Sequence, residues 1–190
     1  MRDVLESIPE DVLTIADAKR GDIGNSASFY ARSVFHDLGY DSVTVSPYMG
    51  RDSVEPFLGN VGTCAFVLAR TSNPGGNDLQ LLPVGEQALF EYTAELAVSW
   101  AEDQTGETGL VVGASDIDSL ARLRERMPSV PFLVPGVGAQ GGSGVDVMRA
   151  AGSGPLLVNS SRAILYASDG PDYASAAASV AKTTRQSLGS

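Results

Sequence analysis

The sequence contains, from Val12 to Ser26, the stretch VLTIADAKRGDIGNS. It opens with five apolar or small residues, Val12–Ala16, and then changes abruptly to charge at Asp17, Lys19 and Asp22. A short apolar run that ends in charge and glycine, before a helical pattern, is typical of a buried parallel strand and the loop behind it. The stretch therefore predicts a strand over Val12–Ala16 that leads into a βα unit.

The three charged residues of this stretch are candidates for chemistry. Residues i and i+2 of a strand share a face, so Asp17 and Lys19 should point the same way, and Asp22 lies just beyond the strand. We expect Lys19 to sit between two carboxylates, which keep its ammonium charged and fix it in place. A plain surface ion-pair cluster is the alternative. The carboxyl end of a strand, where α/β folds place their sites, favours chemistry. The sequence has one other lysine, Lys182.

Length and composition bound the class of protein. The 190 residues are enough for a single domain with a full core, in which residues 1–11 read as the tail of a helix or a lead-in. One cysteine, Cys64, makes no internal disulfide, which indicates a reducing, cytoplasmic compartment. No stretch has the ~20 apolar residues of a membrane span. A net charge of −10 without a basic patch argues against a nucleic-acid partner.

Strands and helices alternate along the whole chain. The predicted strands are short apolar runs at Val12–Ala16, Ser42–Ser46, Cys64–Ala69, Leu110–Val112, Phe132–Val134 and Pro155–Asn159. The predicted helices cover about 25–38, 53–58, 84–101, 117–126, 145–151 and 173–187. Strict alternation predicts an α/β fold with a parallel sheet. Because the unusual residues lie at the strand ends, we expect a (β/α)8 barrel type with about six parallel units. A doubly wound sheet is the alternative, although no G-x-G-x-x-G follows the first strand.

The last two strand ends carry the features of a phosphate site. The loop Pro135–Gly144 holds five glycines and Gln140, and glycine lets backbone N–H groups approach an anion closely. The next strand ends in Ser160-Ser161-Arg162, ahead of a possible short helix. Barrels commonly bind phosphate at these two positions. The loop 70–77, which includes Ser72-Asn73-Pro74, is either a mobile lid or a plain solvated loop.

Four motifs in order identify a family. The segment Ala16-Asp-Ala-Lys-Arg-Gly-Asp-Ile-Gly24 resembles the D-x-K-x-x-D signature of orotidine 5′-phosphate decarboxylase. The segments Ser72-Asn-Pro-Gly75, Val134-Pro-Gly-Val-Gly-Ala-Gln-Gly-Gly142 and Val158-Asn-Ser-Ser-Arg162 resemble its later motifs. The resemblance covers nearly the whole chain and points to the bacterial branch of longer chains.

This resemblance implies a function and a set of site residues. It implies a cofactor-free and metal-free enzyme that converts orotidine 5′-phosphate to uridine 5′-phosphate and carbon dioxide, as a homodimer with shared active sites. Lys19 corresponds to the proton donor and Asp17 to the carboxylate that faces the substrate's own. Asp22 corresponds to the aspartate given to the neighbouring subunit's site, with Ser26 nearby. The substrate-binding positions are Ser26 together with those of the pyrimidine loop and the phosphate grip: Ser72, Asn73, Pro74, Gln140, Ser161 and Arg162.

The chain departs from the family in its strand count. The family barrel has eight strands and six are predicted here, so we expect a barrel that lacks the two βα units before Val12. The first and last predicted strands should then be open sheet edges. Two other functions stay open. One is a related metal-dependent sugar-phosphate decarboxylase or synthase, and the other is an inactive fragment.

Overall fold

The computed structural model describes residues 2–138 and 142–189. Its first half contains α1 (Arg2–Glu6), β1 (Ile15–Arg20), α2 (Gly24–Arg32), β2 (Ser42–Val45), α3 (Arg51–Val54), β3 (Cys64–Arg70), α4 (Asn77–Gln80), β4 (Pro83–Val84), β5 (Gln87–Ala88) and α5 (Leu89–Ala101). Its second half contains β6 (Glu107–Val112), α6 (Ile117–Arg126), β7 (Phe132–Pro135), α7 (Gly144–Ala151), β8 (Leu156–Asn159), α8 (Arg162–Leu165) and α9 (Tyr173–Ser187). Helix α2 continues as a π-helix over Ser33–Leu38.

Six strands form one sheet in the order β1-β2-β3-β6-β7-β8, and β4 and β5 form a separate antiparallel hairpin. The pairs β1–β2, β2–β3 and β7–β8 are parallel. The strands follow one another across the sheet without a reversal. A doubly wound sheet would reverse its order at a switch point, so this winding is that of a barrel. As predicted, the first and last strands, β1 and β8, are the edges of the described sheet.

Several predicted boundaries differ from the structure, and β6, for example, begins at Glu107 rather than Leu110. Strand β1 begins at Ile15 rather than Val12, because Val12 and Leu13 are exposed and the strand instead continues through the charged residues to Arg20. Helix α5 begins at Leu89 rather than near Val84, because the β4–β5 hairpin turns at Gly85, whose φ of 63° is left-handed. The predicted helices 117–126 and 173–187 have the observed bounds.

The first of two compact units runs to Leu68 and includes Tyr92–Leu110. All four residues of β2 are buried, as is typical of a strand covered on both faces. Phe57 and Phe66 are fully buried side chains of this unit, and the ring of Phe35 packs edge-on against Phe57 with centroids 6.5 Å apart. This core supports the carboxyl ends of β1 and β2.

The second unit comprises Ala69–Glu91 and the chain from Val111 onward. Its fully buried side chains include Phe90, Leu120, Leu123 and Phe132. Helix α6 begins at the cap residue Asp116, whose carboxylate accepts the backbone N–H of Ser119. This core holds the carboxyl ends of β7 and β8 side by side in register. Within the described residues, no helix has both the length and the apolar character needed to cross a membrane.

Candidate active site

The carboxyl end of β1 is irregular where the charged motif lies. The pairing with β2 steps from Ala16↔Val43 to Arg20↔Val45, so four positions on β1 face two on β2. Lys19 has a φ of 45°, and it is the one non-glycine with positive φ in the described part of the chain. Such a backbone costs about 1–3 kcal/mol and persists only where its surroundings enforce it. The bulge therefore marks Lys19 as a residue held in a special conformation.

The Lys19 ammonium contacts the carboxylate of Asp17. Lys19 Nζ lies 2.5 Å from Asp17 Oδ1, and both side chains are more than half exposed, at 54% and 58%. The hydroxyl of Thr44, a buried residue of β2, lies beneath this pair. It accepts the backbone N–H of Lys19 at 2.9 Å and donates to Asp17 Oδ1 at 3.0 Å. The predicted Asp17–Lys19 pair is thus present, and Thr44 belongs to it.

The other predicted residues of this motif do not join the pair. Asp22 Oδ1 accepts the backbone N–H of Ile23 at 2.8 Å, and the ion pair of Lys19 is with Asp17 alone among the described residues. The expectation that Lys19 sits between two carboxylates is therefore wrong within this chain, because β1 ends at Arg20 and the Asp22 carboxylate beyond it bonds to the backbone of Ile23. Ser26 is exposed on α2.

In the second unit, the loop after β3 carries the predicted residues Ser72, Asn73 and Pro74. Asn73 and Pro74 are exposed, and Asn73 Oδ1 accepts the hydroxyl of Thr71 at 2.7 Å. A Cβ added to Gly113 would lie 2.9 Å from the backbone nitrogen of Ser72, so glycine is needed there for the end of β6 to approach this loop. The loop is thus an ordered structure with a short 3₁₀ turn at Pro74–Gly76.

The buried side chain of Arg70 holds this loop in place through hydrogen bonds. Its guanidinium donates to Asp116 Oδ2 at 2.8 Å, to Gln80 Oε1 at 3.0 Å and to Asn77 Oδ1 at 2.7 Å. Gln80 in turn accepts the backbone N–H of Thr71 and donates to its hydroxyl. Burial by itself raises the pKa of Asp116, but hydrogen bonds from Arg70 and Ser119 outweigh it and hold that pKa below its ordinary value.

The predicted phosphate end is described in part. Gly136 and Gly138 have left-handed φ values of 100° and 84°, which fits the expected glycine-rich turn. Gln140 lies outside the described residues. The hydroxyl of Ser160 donates to the carbonyl of Val137 at 3.0 Å and so ties the β8 end to this turn.

Two more predicted residues of the phosphate end follow β8. Ser161 donates to Asn159 Oδ1 at 2.8 Å. Arg162 opens α8 and is exposed, with no side-chain hydrogen bond to any residue that the structure describes. Its guanidinium can therefore reach an anion near the β7 and β8 ends without first giving up a partner in this part of the chain.

Two residues near these sites were not predicted, namely Thr44 and Arg70. The signal for Thr44 was its hydroxyl within the buried run of β2, which also contains Ser42, because a buried polar group must find a partner. Arg70 carried no spacing signal, because Asn77, Gln80 and Asp116 follow it at unrelated separations.

In the ranges covered by the structure, His, Cys, Asp and Glu side chains form no group of three that could hold a metal ion.

Known proteins match this chain over nearly all of its length. The model of a family described as "Orotidine 5′-phosphate decarboxylase / HUMPS family" matches residues 2–178. The orotidine 5′-phosphate decarboxylase of Delftia acidovorans is 51% identical over 192 residues, which cover 97% of this chain and 69% of that protein. The chain spans 65–70% of the length of the curated bacterial relatives with which it was compared.

Solved structures match the fold as well. The OMP decarboxylase of Leishmania donovani is 39% identical and superimposes with a TM-score of 0.84, covering 100% of this chain and 74% of that one. The UMP synthase of the same organism is 41% identical with a TM-score of 0.86, covering 98% of this chain and 42% of that one. These matches agree with a barrel-type α/β fold of which six parallel strands are present.

Proposed function

We propose that this chain, which belongs to the orotidine 5′-phosphate decarboxylase / HUMPS family as a carboxy-lyase of its longer bacterial branch, decarboxylates orotidine 5′-phosphate. In this proposal the reaction proceeds by carbanion stabilisation and protonation from Lys19. The match to the family model and to the relative of Delftia acidovorans confirms the family resemblance inferred from the four motifs. The observation that carries the mechanism is the Lys19 ammonium held on Asp17 by a left-handed backbone at the end of β1.

The chemistry asks for an ammonium at this place. When the bond from C6 of the pyrimidine to the carboxyl carbon breaks, both electrons stay on C6 and carbon dioxide leaves. The resulting carbanion lies in the ring plane and is not delocalised by the ring. A fixed ammonium stabilises that charge and then donates a proton to C6, after which Lys19 regains a proton from solvent. An arginine would be a poor donor, because guanidinium does not readily lose its proton.

Asp17 has two parts in this proposal. Its Oδ1 accepts the Lys19 ammonium and so orients the proton donor. By its position in the motif it also faces the substrate's carboxylate, so that like charges disfavour the bound ground state and this repulsion is relieved as carbon dioxide departs. Asp17 is therefore proposed as a catalytic residue together with Lys19.

Binding of the nucleotide is assigned to residues of two loops. We assign the pyrimidine to the loop that carries Ser72, Asn73 and Pro74, which Arg70 holds in place. We assign the phosphate to Gln140, Ser161 and Arg162. Phosphate binding at a distance from C6 supplies energy that closes loops and is used in the transition state.

The remaining motif residues suggest a shared site. By its place in the motif, Asp22 is assigned to the neighbouring subunit's site in a homodimer, with Ser26 nearby on the same helix; in this chain the Asp22 carboxylate accepts the backbone N–H of Ile23. A cytoplasmic location is proposed from the lone Cys64, whose thiol is a partly buried free cysteine. The curated relative of Delftia acidovorans is an orotidine 5′-phosphate decarboxylase by name, which favours decarboxylation of orotidine 5′-phosphate over the metal-dependent sugar-phosphate alternative.

The test compares the two lysines of the chain. Lys19→Ala should abolish measurable turnover of orotidine 5′-phosphate while uridine 5′-phosphate binds with only a modest loss of affinity. Lys182→Ala is the matched control, since Lys182 is exposed on α9, and it should keep wild-type turnover. Turnover by Lys19→Ala near the wild-type rate would reject the assignment. Loss of wild-type activity on addition of EDTA would favour the metal-dependent alternative.

A further inference from the structure

The buried hydroxyl of Thr44 makes an unusual pair of hydrogen bonds. Thr44 is 1% exposed in the middle of β2, where the other buried side chains are mostly apolar. A hydroxyl in such a place must be paired. It accepts from the backbone N–H of Lys19 and donates to the carboxylate of Asp17, so both partners belong to the proposed proton-donor pair.

The first bond compensates for the bulge in β1. Between Ala16 and Arg20 the regular pairing with β2 is lost, so the N–H of Lys19 has no ladder partner. The hydroxyl of Thr44 replaces that partner at 2.9 Å. It thereby supports a left-handed φ of 45°, which lysine adopts only when its surroundings hold it there.

The second bond is fixed in direction by the carboxylate. A carboxylate oxygen only accepts, so the single proton of the Thr44 hydroxyl is directed to Asp17 Oδ1 while the hydroxyl oxygen accepts from Lys19. The same oxygen of Asp17 contacts Lys19 Nζ. The ion pair alone would orient its members weakly, because both side chains are more than half exposed. Thr44 is the buried point to which both are attached.

We propose that Thr44 is a positioning residue for the proton transfer from Lys19, acting through the Lys19 backbone and the Asp17 carboxylate rather than by contact with substrate. This inference rests on the proposed function of Lys19. Proton transfer needs its heavy atoms within about 3 Å, and a misplacement of about 1 Å can cost about 100-fold in rate. Loss of the Thr44 hydroxyl should therefore lower kcat and leave substrate binding largely intact.

The experiment compares Thr44→Val with Thr44→Ser in the full chain. Valine keeps the β-branched shape and removes the hydroxyl, whereas serine keeps the hydroxyl and removes the methyl group. With orotidine 5′-phosphate we expect Thr44→Val to lower kcat about 10- to 100-fold with KM within about 3-fold of wild type. Thr44→Ser should stay within about 3-fold of wild type in both constants. Should the valine variant fail to fold, Thr44→Ala takes its place against Thr44→Ser.

A double-mutant cycle distinguishes a positioning role of Thr44 from a role in packing alone. In an Asp17→Asn background the further change Thr44→Val should lower kcat by a smaller factor than it does alone, because the two residues act as one unit. Wild-type kcat in Thr44→Val, equal losses in the valine and serine variants, or full additivity with Asp17→Asn would each overturn the inference. Full activity of Lys19→Ala would instead reject the proposed function itself, so the two failures are distinguishable.

Discussion

Replacing Arg70 by methionine should destabilise the chain strongly. The arginine side chain is 8% exposed and that of its partner Asp116 is 26% exposed. Removing one member of a buried ion pair costs about 3–5 kcal/mol, since the other charge is left without compensation. Asp116 keeps its hydrogen bond from the Ser119 backbone and some water contact, which places the cost of breaking the ion pair near the low end of that range. Gln80 and Asn77 each lose one further hydrogen bond, worth about 0.5–1.5 kcal/mol.

We therefore expect Arg70→Met to lower the free energy of unfolding by about 4–6 kcal/mol, measured by urea titration of circular dichroism with the slope unchanged. Arg149→Met is the control, because Arg149 is an exposed arginine paired with Asp146 on α7 and should cost under about 1 kcal/mol. Adding Asp116→Asn to Arg70→Met should restore part of the loss by removing the uncompensated charge. A loss under about 1 kcal/mol in Arg70→Met, or no recovery in the double variant, would refute the reasoning.

Three further predictions follow from the described side chains. The lowered pKa of Asp116 means that its charge stabilises the fold above the ordinary pKa of about 4, and that this contribution is lost as the pH falls through the still lower folded value. The stability gap between wild type and Asp116→Asn should thus be present at neutral pH and shrink as the pH falls below about 4 in urea titrations, and a gap that grows on acidification would contradict this. Burial, aided by Glu107, raises the pKa of Cys64 to about 12, so a thiol reagent should label it much more slowly in the native chain than after unfolding; equal labelling rates would disprove this. Arg162→Ala should weaken binding of uridine 5′-phosphate about 10-fold or more and leave uridine unchanged by calorimetry, whereas equal weakening of both would reject the phosphate role.

The order of elements was predictable because strong local signals fixed it. The run at β3 is nearly continuous in apolar residues, β2 is short and β-branched, and α6 begins at the capping residue Asp116. The start of β1 was not predictable from apolar character. Val12 and Leu13 are exposed, while Asp17 and Lys19 belong to the strand itself. The carboxyl end of a strand that carries a functional site extends beyond the core and is polar. The apolar pattern therefore does not show where such a strand begins and ends.

The candidate site was predictable in its residues and not in its geometry. The motif places Asp17 beside Lys19, and the structure contains that contact. The bulge, the left-handed Lys19 and the bond from Thr44 depend on how β1 pairs with β2, which no local pattern encodes. The partners of Arg70 likewise come together only through tertiary contacts.

The most direct measurement of the central claim is hydrogen exchange at C6 of the product. A group that donates a proton to C6 must also be able to remove one, so the wild-type chain incubated with uridine 5′-phosphate in deuterated water should replace the C6 hydrogen by deuterium, as followed by NMR. Lys19→Ala should lose this exchange, and Lys182→Ala should keep it. Exchange by Lys19→Ala at the wild-type rate would contradict the assignment of Lys19 as the proton donor.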